Sequence, residues 1–297
     1  MHIHRIGDVT ILNDSIEIPG LGFLPVNAYV LHGEQPVVID TGLSTADKDF
    51  VSALAEVLDP ADVRWLWITH PDRDHTGGLW PLLEAAPKAR LISTFLGVGI
   101  MSTEWTVPLD RVFLLNPGQA LDVGDRRLHA FRPALFDNPS TTGFLDDRSG
   151  ALFSSDCFGA PMPSLELATS TDVRAVGDQV RNFQLLWASV DSPWVHQVDP
   201  AKFRATVDPV RAMGASAVFS THLPPVSQPD DQLYETVLLA PEASPFVGPD
   251  QQALEALLAP SSRPEHRSRI SRHRSVPSGA DARAVSSGKF SGKWHAT

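Results

Sequence analysis

The chain has 297 residues, 42% of them hydrophobic, and one cysteine, Cys157. That is enough for one large α/β domain or two small ones, with ample apolar material for a core. A single cysteine excludes an intrachain disulfide framework and any zinc site built mainly from thiolates, so metal ligands must come from His, Asp and Glu. The net charge of −11 is uneven: residues 1–260 carry −17, whereas 261–297 hold eight Lys/Arg against two Asp/Glu. An acidic body is a poor nucleic-acid binder, because phosphate neutralisation needs clustered cations. No apolar run approaches the roughly 18–20 residues of a membrane span, and the N-terminus lacks a signal-peptide core. A cytoplasmic protein with no membrane and no nucleic-acid partner is expected.

The first forty residues read as a β-meander. His2 to Val9 alternates, and Val9–Leu12, Asn27–Leu31 and Pro36–Asp40 are β-rich runs separated by Gly and Pro. A helix is expected from Ser44, an N-cap candidate with Asp47 three residues on, with Val51, Leu54, Ala55 and Leu58 on its apolar face. Val63–Thr69 reads as a strand, and a helix bearing Leu79, Leu82, Leu83 and Ala86 follows Gly77-Gly78. Arg90–Phe95 is another strand, with a short helix after it. Val112–Leu115 and Arg127–Arg132 look like a hairpin around Asn116-Pro117-Gly118. Gly143–Leu145 and Ala151–Ser155 flank a further turn. Helices near 180–190 and 200–213, a strand over Ala215–Ser220 and a short helix from Asp250 to Leu258 complete a domain over 1–260. Two sheets packed together with helices outside suit this order. Residues 261–297 are Ser-, Arg- and Gly-rich without apolar periodicity, the composition of a disordered tail.

Three polar clusters each follow an apolar β-run: His70-Pro71-Asp72-Arg73-Asp74-His75, Asp156, and His222. Side chains at strand ends can converge above a sheet edge, which is how a rigid scaffold holds a metal constellation. Thr76-Gly77-Gly78 suits a sharp turn from strand into helix. One such polar residue alone reads as a loop or capping residue; the whole string does not.

Thr69 to Gly78 resembles the HxHxDH signature of the metallo-β-lactamase superfamily, with Asp72 where most members have the second His. Val38-Ile39-Asp40-Thr41-Gly42 resembles its earlier strand-turn motif, Ala151–Gly159 the strand carrying the metal-bridging aspartate, and Ser220-Thr221-His222 the terminal ligand. The resemblance implies a four-layer αββα sandwich with a dinuclear site at one edge. His70 and Asp72 would bind the first metal, Asp74, His75 and His222 the second, and Asp156 would bridge them. The family usually places another His before the bridging aspartate; here Arg132–Ser140 has none, and Asp137 is the candidate replacement. A carboxylate at position 72 resembles the flavodiiron branch, which uses HxExDH. Such a donor set is hard and anionic, favouring iron or manganese over zinc without excluding zinc. Flavodiiron proteins carry a flavodoxin domain after the last ligand; no Gly-rich phosphate loop falls in 225–297, so FMN is not expected on this chain.

Two activities follow from the resemblance. The first is a hydrolase acting on a small molecule through a metal-activated water that Asp74 helps to orient. The alternative is a diiron oxidoreductase or oxygen-binding protein that reacts with O2 or NO and draws electrons from a partner protein. A metal sensor with an incomplete site is a third reading. Among lesser candidates, Asp40 is expected to orient the ligand loop, Arg132 to bind an anionic group or a nearby carboxylate, and Cys157 to be a small buried residue.

Overall fold

The computed structural model describes residues 1–45 and 49–258. The first sheet takes its strands in chain order: β1 (His2–Ile6), β2 (Val9–Ile18), β3 (Gly22–Leu31), β4 (Val37–Ile39), β5 (Trp65–Trp67), β6 (Arg90–Ser93) and β7 (Val112–Leu114). The first four form an antiparallel meander, and β4 to β7 pair parallel. Parallel neighbours need crossovers, which α1 (Phe50–Ala55), α2 (Leu79–Ala85) and α3 (Phe95–Met101) supply. The second sheet is built from β8 (Ala120–Asp122), β9 (Arg127–Phe131), β10 (Gly143–Asp146), β11 (Ala151–Phe153), β12 (Ala217–Phe219) and β13 (Val226–Ser227), in the order β13-β12-β11-β10-β9-β8. Between the parallel pair β11 and β12 run α4 (Leu165–Ala168), α5 (Val180–Asp191) and α6 (Pro200–Ala212), and α7 (Asp231–Leu238) follows β13.

Strand periodicity sorts the side chains into layers. Ile11, Tyr29, Ile39, Trp67 and Ile92 of the first sheet meet Phe144, Phe153 and Phe219 of the second in a central core. Their neighbours Leu12, Val30, Val38 and Leu66 point the other way, under Leu54, Leu82, Leu83 and Met101 of the helices. Leu152 and Val218 likewise face Ala188, Phe203, Val207 and Val237. The result is the αββα sandwich, with both sheets covered on both faces. Trp67 is fully buried against Phe144, with ring centroids 4.4 Å apart. Truncating it to Ala would cost about 3–5 kcal/mol.

Two expectations need correction. The first helix starts at Phe50, not Ser44: Asp49 is its N-cap, accepting from Ser52 N at 3.0 Å. Gly42 and Thr41 are already engaged, because their carbonyls accept from Gly77 N and Gly78 N. Asp47 lies outside the described residues, and Leu58 lies beyond the helix end. The expected hairpin of Val112–Leu115 with Arg127–Arg132 is not formed. β7 closes the first sheet beside β6, and β9 pairs with β8 and β10 in the second. The Asn116-Pro117-Gly118 turn carries the chain from one sheet to the other, a passage that short alternating runs cannot distinguish from a hairpin.

The sandwich occupies the unit Met1–Asp250; a separate unit begins at Gln251, and its described part is the helix α8 (Gln251–Leu258). The basic stretch 261–297 lies outside the described residues. No described helix is long and apolar enough to cross a membrane.

Candidate metal centre

The carboxyl ends of β4, β5, β11 and β12 open onto one edge of the sandwich, and the polar clusters sit there. After β5 the chain makes a tight loop in which His75 N and Thr76 N both donate to the Asp72 carbonyl at 3.1 Å. The loop is pressed against the strand-turn segment after β4. Thr41 N donates to His75 O at 2.8 Å, and a Cβ on Gly77 would lie 2.2 Å from the Leu43 carbonyl. Only glycine fits there. Asn27, on β3, holds the other side: its Nδ2 donates to the carbonyls of Ser220 and Leu223 at 3.0 and 2.8 Å, which fixes the turn bearing His222.

The donor atoms fall into two groups that share Asp156. His70 Nε2 lies 3.7 Å from Asp72 Oδ2, 3.5 Å from Asp137 Oδ1 and 3.3 Å from Asp156 Oδ2. On the other side, Asp156 Oδ1 is 3.1 Å from His75 Nε2 and 3.3 Å from His222 Nε2. Asp74 Oδ2 completes that group, 3.7 Å from His75 Nε2 and 3.3 Å from His222 Nε2. Two donors that bind one ion at ~2.1 Å, with inter-ligand angles of roughly 90–109°, sit about 3.0–3.4 Å apart. The observed spacings lie at or just above that range. His70 Nε2, His75 Nε2 and Asp156 Oδ1 are buried with no hydrogen-bond partner, a costly state that a cation among them would relieve. The residues present therefore fit a pair of metal ions.

The far ring nitrogens fix which face each histidine offers. His222 Nδ1 is 2.8 Å from the Pro25 carbonyl, and His75 Nδ1 is 2.8 Å from Asp40 Oδ2. Both oxygens only accept, so each Nδ1 carries a proton and Nε2 is the nitrogen left to bind a metal once it sheds its own. His70 follows through a relay. Thr69 Oγ1 donates to Asp40 Oδ2 at 2.9 Å, Ser155 Oγ donates to Thr69 Oγ1 at 2.9 Å, and the Ser155 oxygen is left to accept from His70 Nδ1 at 3.2 Å. Asp40, held in a left-handed turn at φ 55°, thus orients His75 directly and His70 through two hydroxyls.

Electrostatics separate the two groups. Burial works against charge on His75 and His222, but Asp156 and Asp74 outweigh it; His75 is raised well above its ordinary range and His222 to about 9. Burial also opposes the charge of Asp74 and Asp156, yet the histidines hold both far below the usual carboxylate range. Asp137 moves the other way: burial raises it to about 6, with Asp156 and Asp72 overcoming the pull of His70. The Asp137 side thus has more anionic oxygens than cationic partners.

Every ligand position expected from the sequence, including Asp137, is brought to this edge. Asp40 has the orienting role expected of it, and Cys157 is buried, its thiol pushed up to about 12 by burial. Arg132 departs from expectation. It donates to the Pro139 carbonyl at 2.6 Å and lies over the Phe136 ring, which braces the loop carrying Asp137. Two residues at the site were not foreseen. Asn138 Nδ2 donates to Asp72 Oδ1 at 2.9 Å. Asp191, the last residue of α5, offers an oxygen that lies within 4.8 Å of oxygens of Asp137 and Asp156. Burial, then Asp156 and Asp137, raise its carboxyl to about 8. The only hint in the sequence is that it is the sole acidic residue of α5. Beside Asp74, an open depression of about 560 Å³ is lined by Ile16, Ile18, Leu24, Leu43 and Arg73.

Residues 21–154 match the family model of the metallo-beta-lactamase superfamily. The chain is 25% identical over 173 residues to rubredoxin-oxygen oxidoreductase of Megalodesulfovibrio gigas, covering 58% of this chain and 42% of that protein. It is 26% identical over 182 residues to the anaerobic nitric oxide reductase flavorubredoxin of Salmonella arizonae, covering 59% and 36%. It thus spans less than half the length of these curated relatives. Its fold resembles that of the flavodiiron protein from Giardia intestinalis, with a TM-score of 0.68 at 15% identity, over 81% of this chain and 58% of that one. Family model, fold and ordered ligand motif agree, and the chain carries a metallo-beta-lactamase domain whose neighbours in sequence and structure are flavodiiron proteins.

Proposed function

We propose that the chain is the diiron-binding part of an oxidoreductase that reduces O2 or NO with electrons from a partner protein. The observation that carries this reading is the donor set. Three imidazoles meet the carboxylates of Asp72, Asp74, Asp137 and Asp156, with a carboxylate where most of the superfamily has a second imidazole. Hard, anionic donors favour iron or manganese over zinc. Relatives whose names specify oxygen or nitric oxide as the substrate support the same choice and move it ahead of the hydrolase reading.

His70, Asp72 and Asp137 would hold the first iron, Asp74, His75 and His222 the second, and Asp156 would bridge them. Two irons so held supply the redox chemistry of the reaction. Asp40 keeps His75 and His70 in the tautomers that leave Nε2 free. Asp74, about one-third exposed, borders the depression whose Ile16, Ile18, Leu24 and Leu43 form an apolar approach for a small, weakly polar gas.

Anaerobic reconstitution with Fe(II), iron analysis and an O2 or NO electrode with a low-potential reductant test the reading. We expect two irons per chain and gas consumption that Asp156→Asn abolishes. Tightly held zinc with ester or thioester hydrolysis, and no gas consumption by the iron form, would overturn it in favour of the hydrolase.

A further inference from the structure

We infer that Asp191 is a further ligand of the first metal position, making it a site for a hard cation in which four carboxylates surround one imidazole. This rests on the dinuclear reading above and adds a donor that the family motif does not contain.

Three observations on the structure carry it. First, oxygens of Asp137, Asp156 and Asp191 all lie within 4.8 Å of one another, close enough to share one ion. Second, His70 Nε2, on a ring 1% exposed and without a hydrogen-bond partner, is aimed at two of these three carboxylates, 3.5 Å from Asp137 Oδ1 and 3.3 Å from Asp156 Oδ2. A lone pair directed into a carboxylate cluster is repelled by it unless a proton or a metal cation lies between. Third, the local partners of Asp191 are weak. Among the described residues no Lys or Arg pairs with it, and its hydrogen bond from Ser192 Oγ is long, at 3.4 Å. It also ends the twelve-residue helix α5, where the macrodipole disfavours an anion and favours a cation. Leu135, Phe158, Trp187 and Ala188 line a cavity of about 10 Å³ against Asp156 and Asp191.

In the position so proposed, Asp137 and Asp156 would join Asp191 to the group of His70 and Asp72. The second position keeps two imidazoles and only Asp74 and Asp156. Two ions bound to one chain should therefore differ in affinity and in preference, the first position favouring Mn(II) or Fe(II) over softer ions more strongly than the second.

The test uses the full chain, metal-free, as wild type, Asp191→Asn, Asp191→Ser and Asp191→Glu. Each is titrated anaerobically with Mn(II), reading bound metal by elemental analysis and free Mn(II) by its electron paramagnetic resonance signal. Wild type should bind two ions. Asp191→Asn should keep one and bind the other at least about tenfold more weakly, and Asp191→Glu should restore it. Asp191→Ser leaves room for water and should give the same loss, in case the amide disturbs α5. Two ions bound with unchanged affinity in both the Asn and Ser variants would overturn the assignment. Fewer than two ions on wild type would instead defeat the dinuclear reading itself, and the two failures are seen in different samples.

Discussion

Asp40→Asn isolates the device that keeps the histidines aimed. The carboxylate is fully buried and accepts three hydrogen bonds, from Thr69 N at 2.8 Å, Thr69 Oγ1 at 2.9 Å and His75 Nδ1 at 2.8 Å. The last two share Oδ2. If the new amide nitrogen takes that place, the Thr69 hydroxyl can rotate to accept. His75 has to move its proton from Nδ1 to Nε2 to avoid two donors facing each other. That tautomer puts a hydrogen where the metal should sit. The turned Thr69 hydroxyl also alters the relay through Ser155 to His70. One lost hydrogen bond to a charged group is worth about 1.5–3 kcal/mol, and loss of such a supporting partner typically weakens metal binding by about 10–100-fold, two estimates that agree. Calorimetric titration of the metal-free chain with Mn(II) measures the affinity, and nitrogen-15 chemical shifts of the His75 ring report the tautomer. Affinity within about threefold of wild type, with the Nδ1 proton retained, would show that Asp40 does not set the His75 tautomer.

Other outcomes follow from the same geometry. Metal affinity should rise between pH 6 and 9, because His222, raised to about 9, and Asp137, raised to about 6, must shed protons to become ligands. The metal-free chain should show the opposite trend. With the folded pKa of His222 above the ordinary 6.5, its contribution of about 3 kcal/mol is full below pH 6.5 and lost as the pH rises through 9, which urea unfolding at several pH values would detect. Gly77→Ala should destabilise by about 3 kcal/mol, at the upper end of overpacking costs, because the Cβ would meet backbone rather than a side chain that can move; urea unfolding reads this directly. Cys157, 2% exposed and with its thiol pushed up to about 12, should not react with a disulfide reagent at pH 8 until denaturant is added.

Much of this protein was readable along the chain because its main ligands are local. His70, Asp72, Asp74 and His75 fall within six residues, and the glycines behind them announce the close approach that Gly77 makes to Leu43. Asp156 and His222 were readable because each lies three residues past a short apolar strand, and the order of strands and helices predicts two packed sheets with helices outside. Tertiary structure decided what depends on distant segments meeting. Val112–Leu115 and Arg127–Arg132 alternate alike, and only packing sends one to each sheet. Asn138 reaches Asp72 across 66 residues. Asp191 is set beside Asp156 by the placement of α5, which no local pattern encodes. Local spacing determines which donors a loop can offer, but the number of carboxylates around a metal depends on which helix end packs against that edge, and this is a property of the folded layers alone.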